Sequence, residues 1–363
     1  MYVPYAKDVE RVSADEDEVI DKIIRVMSKG AGIVREREGR ALRASHAKAH
    51  GLARGELTVL PDLPAELRQG LFAAPRSYSA IVRLAHVPGE LLDDRKVSTP
   101  RGLALKVLGV EGEMLPGNAG QTQDWVLDTG EIFNAADAKT FLGEITMTEA
   151  STPMPEGVKS VVSTISAATN AMLNAVGGNS ANLDFFGHPK LHPLTETYYS
   201  QAPLRYGDYI AKLRVRPTSS HLEQEQALDL EDANGLRTAV TRDLRTAPAT
   251  FAVEVQLCTD LDKMPVENAH TLWSQDDSPF RQVATLTLPV QDAWSDRSEI
   301  EEAHLSFAPG HSLAAHRPLG SIMRARMRAY SVMSQTRAVE NGLTIIEPEA
   351  AALGAAASPL PSS

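Results

Sequence analysis

The stretch that decides the fold prediction is His316-Arg-Pro-Leu-Gly-Ser-Ile-Met-Arg-Ala-Arg-Met-Arg-Ala-Tyr-Ser-Val-Met-Ser-Gln-Thr-Arg-Ala-Val-Glu-Asn-Gly342. Pro318 favours a helix start, because the N–H group that proline lacks is unpaired in the first turn anyway. Asn341 with Gly342 favours a helix stop. Good helix formers fill the interval, and Gly320 is its only internal breaker. The sequence therefore predicts one long helix near the end of the chain.

Three side chains of this predicted helix suggest a chemistry. Arg326, Tyr330 and Arg337 are four and seven residues apart, so they share one helix face. Positive charge beside a phenol favours the phenolate, and a phenolate oxygen is a known ligand of ferric haem iron. Arg337, two turns on, could then pair with a haem propionate. On this helix alone the commoner alternative is a boundary tyrosine beside solvent-facing arginines.

Composition and charge restrict the class of protein. The 363 residues carry a net charge of −11, which argues against nucleic acid or an anionic membrane as the main partner. No stretch approaches the roughly 18 apolar residues of a membrane span, and the first residues lack a secretion signal. We therefore expect a cytoplasmic protein that is not integral to a membrane. The single cysteine, Cys258, allows no internal disulfide and is predicted to be a buried strand residue.

The middle of the chain is rich in predicted strands, with helices before and after them. This arrangement predicts an α+β fold, an antiparallel β-barrel of about eight strands with flanking helices. We expect one domain over residues 1–345 and a disordered tail over 346–363. Gly117 and Gly120 lack the third glycine of a dinucleotide-binding loop, so that class of fold is not expected. The predicted strands are 56–60, 79–87, 103–110, 123–128, 205–216, 249–259 and 282–290, and the predicted helices include 13–32, 135–142 and 158–176.

A second candidate functional segment lies upstream, at Arg43-Ala-Ser-His46-Ala-Lys48. Haem chemistry with peroxide needs a base that takes a proton from one oxygen and returns it to the other, and an imidazole suits both tasks. His46 is the predicted base, although a loop histidine without such a role is the commoner case. His50 lies four residues on, but two histidines without a third ligand make a weak metal site.

Four segments in this order together resemble the catalase superfamily of haem proteins. They are Arg43-x-x-His46-Ala-Lys48, then Val82-Arg83 with Val87-x-Gly-Glu90, then Thr99-Pro-Arg-Gly-Leu-Ala-Leu-Lys106, and finally residues 303–337 with an Arg-x-x-x-Tyr pair and an arginine seven residues beyond. The resemblance covers most of residues 35–340. It implies haem b as the cofactor and hydrogen peroxide or an organic hydroperoxide as a substrate.

The resemblance also implies a role for each matching position. Tyr330 would be the axial iron ligand and so the metal-binding residue, and Arg326 would stabilise its phenolate. His46 would be the distal base, and Val87 would gate the distal pocket. Phe141 would be an aromatic near the haem, and the propionates would be held by Arg43, Arg83 and Arg337. Smaller members of the superfamily often form pairs, which makes a homodimer one expectation.

Two positions depart from the pattern of the superfamily. Asp128 stands where the distal asparagine is expected, and an ionised aspartate accepts hydrogen bonds but donates none. Ala85 replaces the serine that helps to orient the distal imidazole. We also expect this protein to have neither the long N-terminal arm nor the extra C-terminal region of typical catalases. It is therefore more similar to the minimal group that includes the allene oxide synthases and small bacterial peroxidases.

Several functions remain open at this point. The first is a haem enzyme that uses hydrogen peroxide to oxidise a small organic molecule. Its catalase activity would be weak, because losing the distal asparagine and serine costs hydrogen bonds of about 1–3 kcal/mol, each of which slows peroxide dismutation by tenfold to hundredfold. The second isomerises or dehydrates a fatty-acid hydroperoxide. A small true catalase is a further alternative. A haem carrier or sensor is the non-enzyme alternative, against which the presence of both His46 and Tyr330 argues.

Overall fold

The computed structural model describes residues 1–118, 120–149 and 188–349. Within them lie five α-helices and nine strands, all paired antiparallel. The helices are α1 (Glu16–Glu38), α2 (Ala138–Glu149), α3 (Gly235–Thr246), α4 (Asp296–His304) and α5 (Ser321–Asn341). The strands are β1 (Ala49–Val59), β2 (Ser77–His86), β3 (Arg101–Leu108), β4 (Thr122–Thr129), β5 (Tyr198–Tyr199), β6 (Leu204–Tyr206), β7 (Tyr209–Pro217), β8 (Ala249–Leu257) and β9 (Arg281–Leu288).

The strands close into a barrel of eight positions. Their order is β5-β4-β3-β2-β1-β9-β8-β7-β6, and β5 also pairs with β7. Short β5 and β6 follow each other along the same edge of β7, with Tyr198 opposite Val215 and Leu204 opposite Ala211. They therefore fill one position together. The predicted α+β fold with an antiparallel barrel of about eight strands is confirmed.

Alternating residues of β2, β3 and β4 serve two different surfaces. One set, which includes Leu105 and Val107, joins the large apolar core. The neighbouring set, which includes Ile81 and Ala104, packs with Phe307 and against Tyr330 of α5. Successive residues of a strand point to opposite faces. One face of the sheet therefore fills the interior of the barrel, and the other face packs against α5.

Helix α5 is held in place by its neighbours at its first turn. Arg324 donates to three carboxylates, those of Glu10 and Glu16 at 2.6 Å each and that of Glu267 at 2.9 Å. The apolar stripe of α1, which includes Ile20 and Ile23, packs with buried Ala325 and Ala138. These contacts fix the depth at which the buried face of α5 meets the barrel.

The structure corrects several boundaries that were predicted from the sequence. Helix α1 does not end near Gly32 but continues to Glu38, because a helical glycine costs only about 1 kcal/mol and Val34 is buried beyond it. Helix α5 begins at Ser321 rather than near Pro318, since Gly320 has a φ of 87°. The predicted strand 205–216 is split into β6 and β7 at Gly207, and helix α4 was not predicted.

Two further expectations concern the chain as a whole. Cys258 lies directly after β8, is fully buried and has a pKa raised to about 11 by that burial, as expected for a packing residue. Among the described helices, none has the length and apolar character needed to cross a membrane.

The predicted helix 158–176 lies outside the described residues, and so does most of the predicted tail. Residues 346–349 of that tail are described, and Glu347 contacts the buried ammonium of Lys106.

Candidate active site

A cavity that is partly open to solvent lies between the barrel wall and α5. Five of the residues that the sequence pointed to line it: Arg43, His46, Arg83, Tyr330 and Arg337. Most of its remaining lining is apolar or small, with Phe307 among the larger side chains. The segments that are remote in sequence therefore meet in one place.

The α5 side of the cavity carries the phenol. Tyr330 is partly buried, and its hydroxyl lies 3.5 Å from an Nη2 of Arg326, one turn earlier on the same helix. The same Nη2 donates to the carbonyl of Val126 on β4 at 3.1 Å, which holds the buried guanidinium in place. The predicted shared face of α5 is confirmed for this pair. Arg326 thus places positive charge beside the phenol oxygen.

His46, in the segment 43–48, has an unusual backbone conformation. Its φ is 57°, a left-handed conformation that histidine tolerates better than most residues. Its backbone N–H donates to the carbonyl of Val87 at 2.7 Å. The imidazole is buried, and this burial, reinforced by the charge of Arg83, holds its pKa well below the ordinary value. His46 is therefore a neutral imidazole at neutral pH, able to accept a proton at one ring nitrogen.

Glycine makes room for this imidazole. A Cβ placed on Gly102 of β3 would lie 2.6 Å from both Cε1 and Nδ1 of His46, a distance that no side chain tolerates. Gly102 belongs to the Thr99–Lys106 segment that was identified from the sequence. Its function in this structure is steric, because it lets the ring lie against the barrel wall.

Asp128 lies beside His46. It is opposite Gly102 in the β3–β4 pairing, and its Oδ1 is 3.6 Å from Nε2 of His46. This is not an ion pair, because the imidazole is neutral, and Oδ1 has no hydrogen-bond partner among the described residues. Burial raises the pKa of Asp128 to about 6, although Arg326 opposes the shift. A carboxyl group that titrates near neutrality thus lies next to the candidate base.

Three arginines meet at the C-terminal end of α4. Arg43 and Arg83 each donate through Nε to Oε1 of Glu302, at 2.9 and 2.7 Å. Arg337 donates to the carbonyls of Ala303 and Leu305 at 2.7 and 3.1 Å. Burial opposes ionisation of Glu302, but the adjacent guanidinium groups outweigh it and lower its pKa to about 2. Three guanidinium groups therefore meet at the edge of the cavity, and two of them, those of Arg43 and Arg83, pair with the carboxylate of Glu302.

Four predicted site residues lie outside the lining of the cavity: Arg326 and Asp128, which contact its lining residues as described above, and Phe141 and Val87, which have other surroundings. Phe141 packs edge-to-face against Phe133, with ring centroids 5.3 Å apart, and joins the apolar clusters between the helices. Val87 contributes backbone contacts, accepting from His46 and donating to the carbonyl of Pro100 at 3.0 Å. The proposed roles of Phe141 and Val87 remain predictions.

Glu302 was missed by the reasoning from sequence. It lies in a helix that was not predicted, and an isolated glutamate carries no pattern that would relate it to arginines 219 and 259 residues away. Gly102 was quoted as part of a motif, but its contact with His46 depends on strand pairing that the sequence does not show.

His50 acquires the third neighbour that the sequence lacked. His50, His86 and Asp94 are buried and offer ligand atoms within 4.8 Å of one another. The ammonium of Lys48, however, already pairs with Asp94 at 2.7 Å. The group therefore offers no net negative charge to a divalent cation, and we assign no metal to it.

Comparison with solved structures identifies the architecture. A fungal catalase superposes with a TM-score of 0.59 at 17% identity, over 93% of this chain and 65% of that protein. The fold is catalase-like. Catalase A from Saccharomyces cerevisiae (TM-score 0.56, 17% identity, 93% of this chain and 67% of that one) and a bacterial catalase (0.55, 16%, 96% and 66%) also match.

The extent of these matches limits what they show. The chain spans only about two thirds of the length of the catalases that it matches, and the identities are low. No protein-family model matches the sequence, and no curated protein matches it. The comparisons therefore establish the catalase-like fold, and the chemistry of this chain has to be argued from its own residues.

Proposed function

We propose that this chain binds haem b in the cavity and uses hydrogen peroxide to oxidise a small organic molecule, with weak catalase activity. One observation carries the proposal: a phenol backed by a guanidinium, Tyr330 with Arg326, lines the same cavity as a buried neutral imidazole, His46. The catalase-like fold supports it. We also propose the minimal catalase-related group, and we retain the cytoplasmic location expected from the sequence.

The residues of the cavity fit haem in donor chemistry and in charge. A phenol oxygen is an iron ligand, and the guanidinium of Arg326 lies 3.5 Å from the hydroxyl of Tyr330. Arg43, Arg83 and Arg337 offer guanidinium groups for carboxylates of the propionate type. The apolar lining suits the faces of a porphyrin. When bound, haem would supply the redox chemistry with peroxide.

The chain itself would move the proton. A neutral His46 can accept a proton from one peroxide oxygen and return it to the other. Burial holds the pKa of His46 below its ordinary value, so the imidazole is neutral and has a ring nitrogen free to accept. Gly102 leaves room for the ring against the barrel wall, and Oδ1 of Asp128, opposite Gly102 in the strand pairing, lies 3.6 Å from Nε2 of His46. This arrangement supports the proposed role of His46 as the distal base.

Asp128 is the basis for proposing weak catalase activity. Dismutation handles two peroxide molecules in turn and depends on a well-oriented distal pocket. Asparagine would donate a hydrogen bond to peroxide, whereas an aspartate above its pKa of about 6 can only accept one. We infer that peroxide is held less firmly in this pocket, so an organic co-substrate competes more easily for the oxidising equivalents.

The experiment starts with the purified protein made with ample iron and porphyrin precursor. We expect the absorption spectrum of ferric haem with phenolate ligation, and we expect Tyr330→Phe to abolish or transform it. Tyr209→Phe, in strand β7, is the matched control and should leave the spectrum unchanged. A colourless wild-type protein, or an unaltered spectrum in Tyr330→Phe, would refute the proposal.

The distal role is tested separately. His46→Ala should retain haem but lose its reaction with hydrogen peroxide, whereas the exposed control His221→Ala should react normally. Full peroxide reactivity in His46→Ala would rule out the role of distal base. Comparing initial rates with hydrogen peroxide plus an organic donor and with a fatty-acid hydroperoxide alone then separates peroxidase action from hydroperoxide isomerisation.

A further inference from the structure

The arginine cluster at the edge of the cavity contains a carboxylate of its own. Arg43, Arg83 and Arg337 carry three positive charges, and Glu302 supplies one negative charge among them. Arg83 is 3% exposed and Arg337 5%. The cluster therefore keeps a surplus of about two positive charges in a poorly solvated place, where uncompensated charge is costly.

Backbone carbonyls, not Glu302 alone, orient these arginines. Nη2 of Arg43 donates to the carbonyls of Glu302 and Leu305, at 2.8 and 3.0 Å. Nη2 of Arg83 donates to the carbonyl of His46 at 2.7 Å. Removing the charge of Glu302 would thus leave the guanidinium groups largely in place. The carboxylate contributes mainly charge, and only secondarily position.

We propose that Glu302 is an internal placeholder carboxylate: it partly neutralises the arginine cluster when no ligand is present, and it weakens the binding of an entering ligand that carries two carboxylates. This inference rests on the proposed function, in which that ligand is a porphyrin with two propionates. Two ligand carboxylates match the two surplus charges of the cluster. Through its charge, Glu302 then sets the affinity for the ligand, and it takes no part in the chemistry.

The decisive variant is Glu302→Gln, which removes the charge and keeps the size of the side chain. Like charges in a poorly solvated site repel strongly, so the variant should bind metal-free protoporphyrin IX at least tenfold more tightly than the wild type. The ligand-free variant should unfold at a lower temperature, because three buried cations then have no carboxylate. If Glu302 were only a structural anchor, the variant would bind the porphyrin more weakly, which is the opposite sign.

The control is Glu301→Gln, one residue earlier on α4. Glu301 pairs with Arg54 at 2.6 Å, and both side chains are about one third exposed. The variant should bind protoporphyrin IX as the wild type does. Affinity in Glu302→Gln that equals or falls below the wild-type value, with Glu301→Gln unchanged, overturns the proposal.

Metal-free porphyrin separates this inference from the proposed function, because its binding does not require Tyr330 as an iron ligand. If the wild type binds protoporphyrin IX but not its dimethyl ester, and Glu302→Gln binds it no more tightly, only the placeholder role fails. If the wild type binds no porphyrin, the proposed function fails. Sulfate then tests the cluster: it should raise the melting temperature of Glu302→Gln more than that of the wild type, and equal shifts refute the placeholder.

Glu302→Asp covers the case in which Glu302→Gln does not fold. Its carboxylate is one methylene shorter and withdraws from the Nε atoms of Arg43 and Arg83. Protoporphyrin affinity is then expected to rise by a few-fold. An unchanged or lower affinity in Glu302→Asp contradicts the proposal.

Discussion

Replacing Asp128 by asparagine should make the protein more stable at neutral pH and leave it nearly unchanged in acid. Asp128 is 9% exposed, and its Oδ1 has no hydrogen-bond partner among the described residues. Burial raises its pKa from 3.8 to about 6. Asparagine has almost the same size and is never charged, so the variant removes the cost of burying the carboxylate.

The magnitude follows from the shift in pKa. Each pKa unit corresponds to about 1.36 kcal/mol, so a shift of about two units corresponds to about 3 kcal/mol. Because the pKa is raised in the folded state, the stability of the wild type is full below about pH 4 and is lost as the pH rises through about 6. The advantage of Asp128→Asn should therefore be about 1 kcal/mol at pH 4.5 and about 3 kcal/mol at pH 8.

Urea unfolding of both proteins at pH 4.5, 6 and 8 measures this difference. Other groups with shifted pKa values, such as Glu302, titrate in both proteins and largely cancel in the comparison. Asp262→Asn, at an exposed position, is the control and should differ from the wild type by the same small amount at every pH. A difference between Asp128→Asn and the wild type that does not grow with pH would refute the assigned environment of Asp128.

Two glycine substitutions test other parts of the structure. Gly102→Ala should displace the imidazole of His46 and lower the rate of reaction with peroxide by tenfold to hundredfold, since displacements of about 1 Å have effects of this size. The control Gly143→Ala, whose new methyl group meets open space, should leave that rate unchanged. An unaltered rate and an unaltered ring signal of His46 in NMR for Gly102→Ala would contradict the steric role of Gly102. Gly320→Ala should lower the free energy of unfolding by at least about 1–3 kcal/mol, because a φ of 87° with a ψ of 162° is a conformation essentially confined to glycine. Gly32→Ala, inside α1, should instead raise it by about 0.5–1 kcal/mol. Equal effects of the two substitutions on the unfolding midpoint would contradict the boundary of α5.

Much of the fold was predictable because its signals are local. The alternation of apolar residues in β2 and β3 predicts strands without knowledge of their partners. The boundaries of α1 and α5 were less accurate, since a glycine can either end a helix or lie within it. The tertiary contacts decided between these outcomes: Val34 packs beyond Gly32, whereas Gly320 lies against the carbonyl of Val266, where a Cβ would be 2.3 Å away.

The sequence alone determined that Arg326 lies beside Tyr330, because helical spacing brings them together, and that the motif around His46 is continuous in the chain. Only the tertiary structure decided what surrounds them. The carboxyl pKa of Asp128, the space that Gly102 leaves for the imidazole and the place of Glu302 among three arginines all depend on contacts between segments far apart in sequence. Burial and distance set these properties, and neither is encoded in the local order of residues.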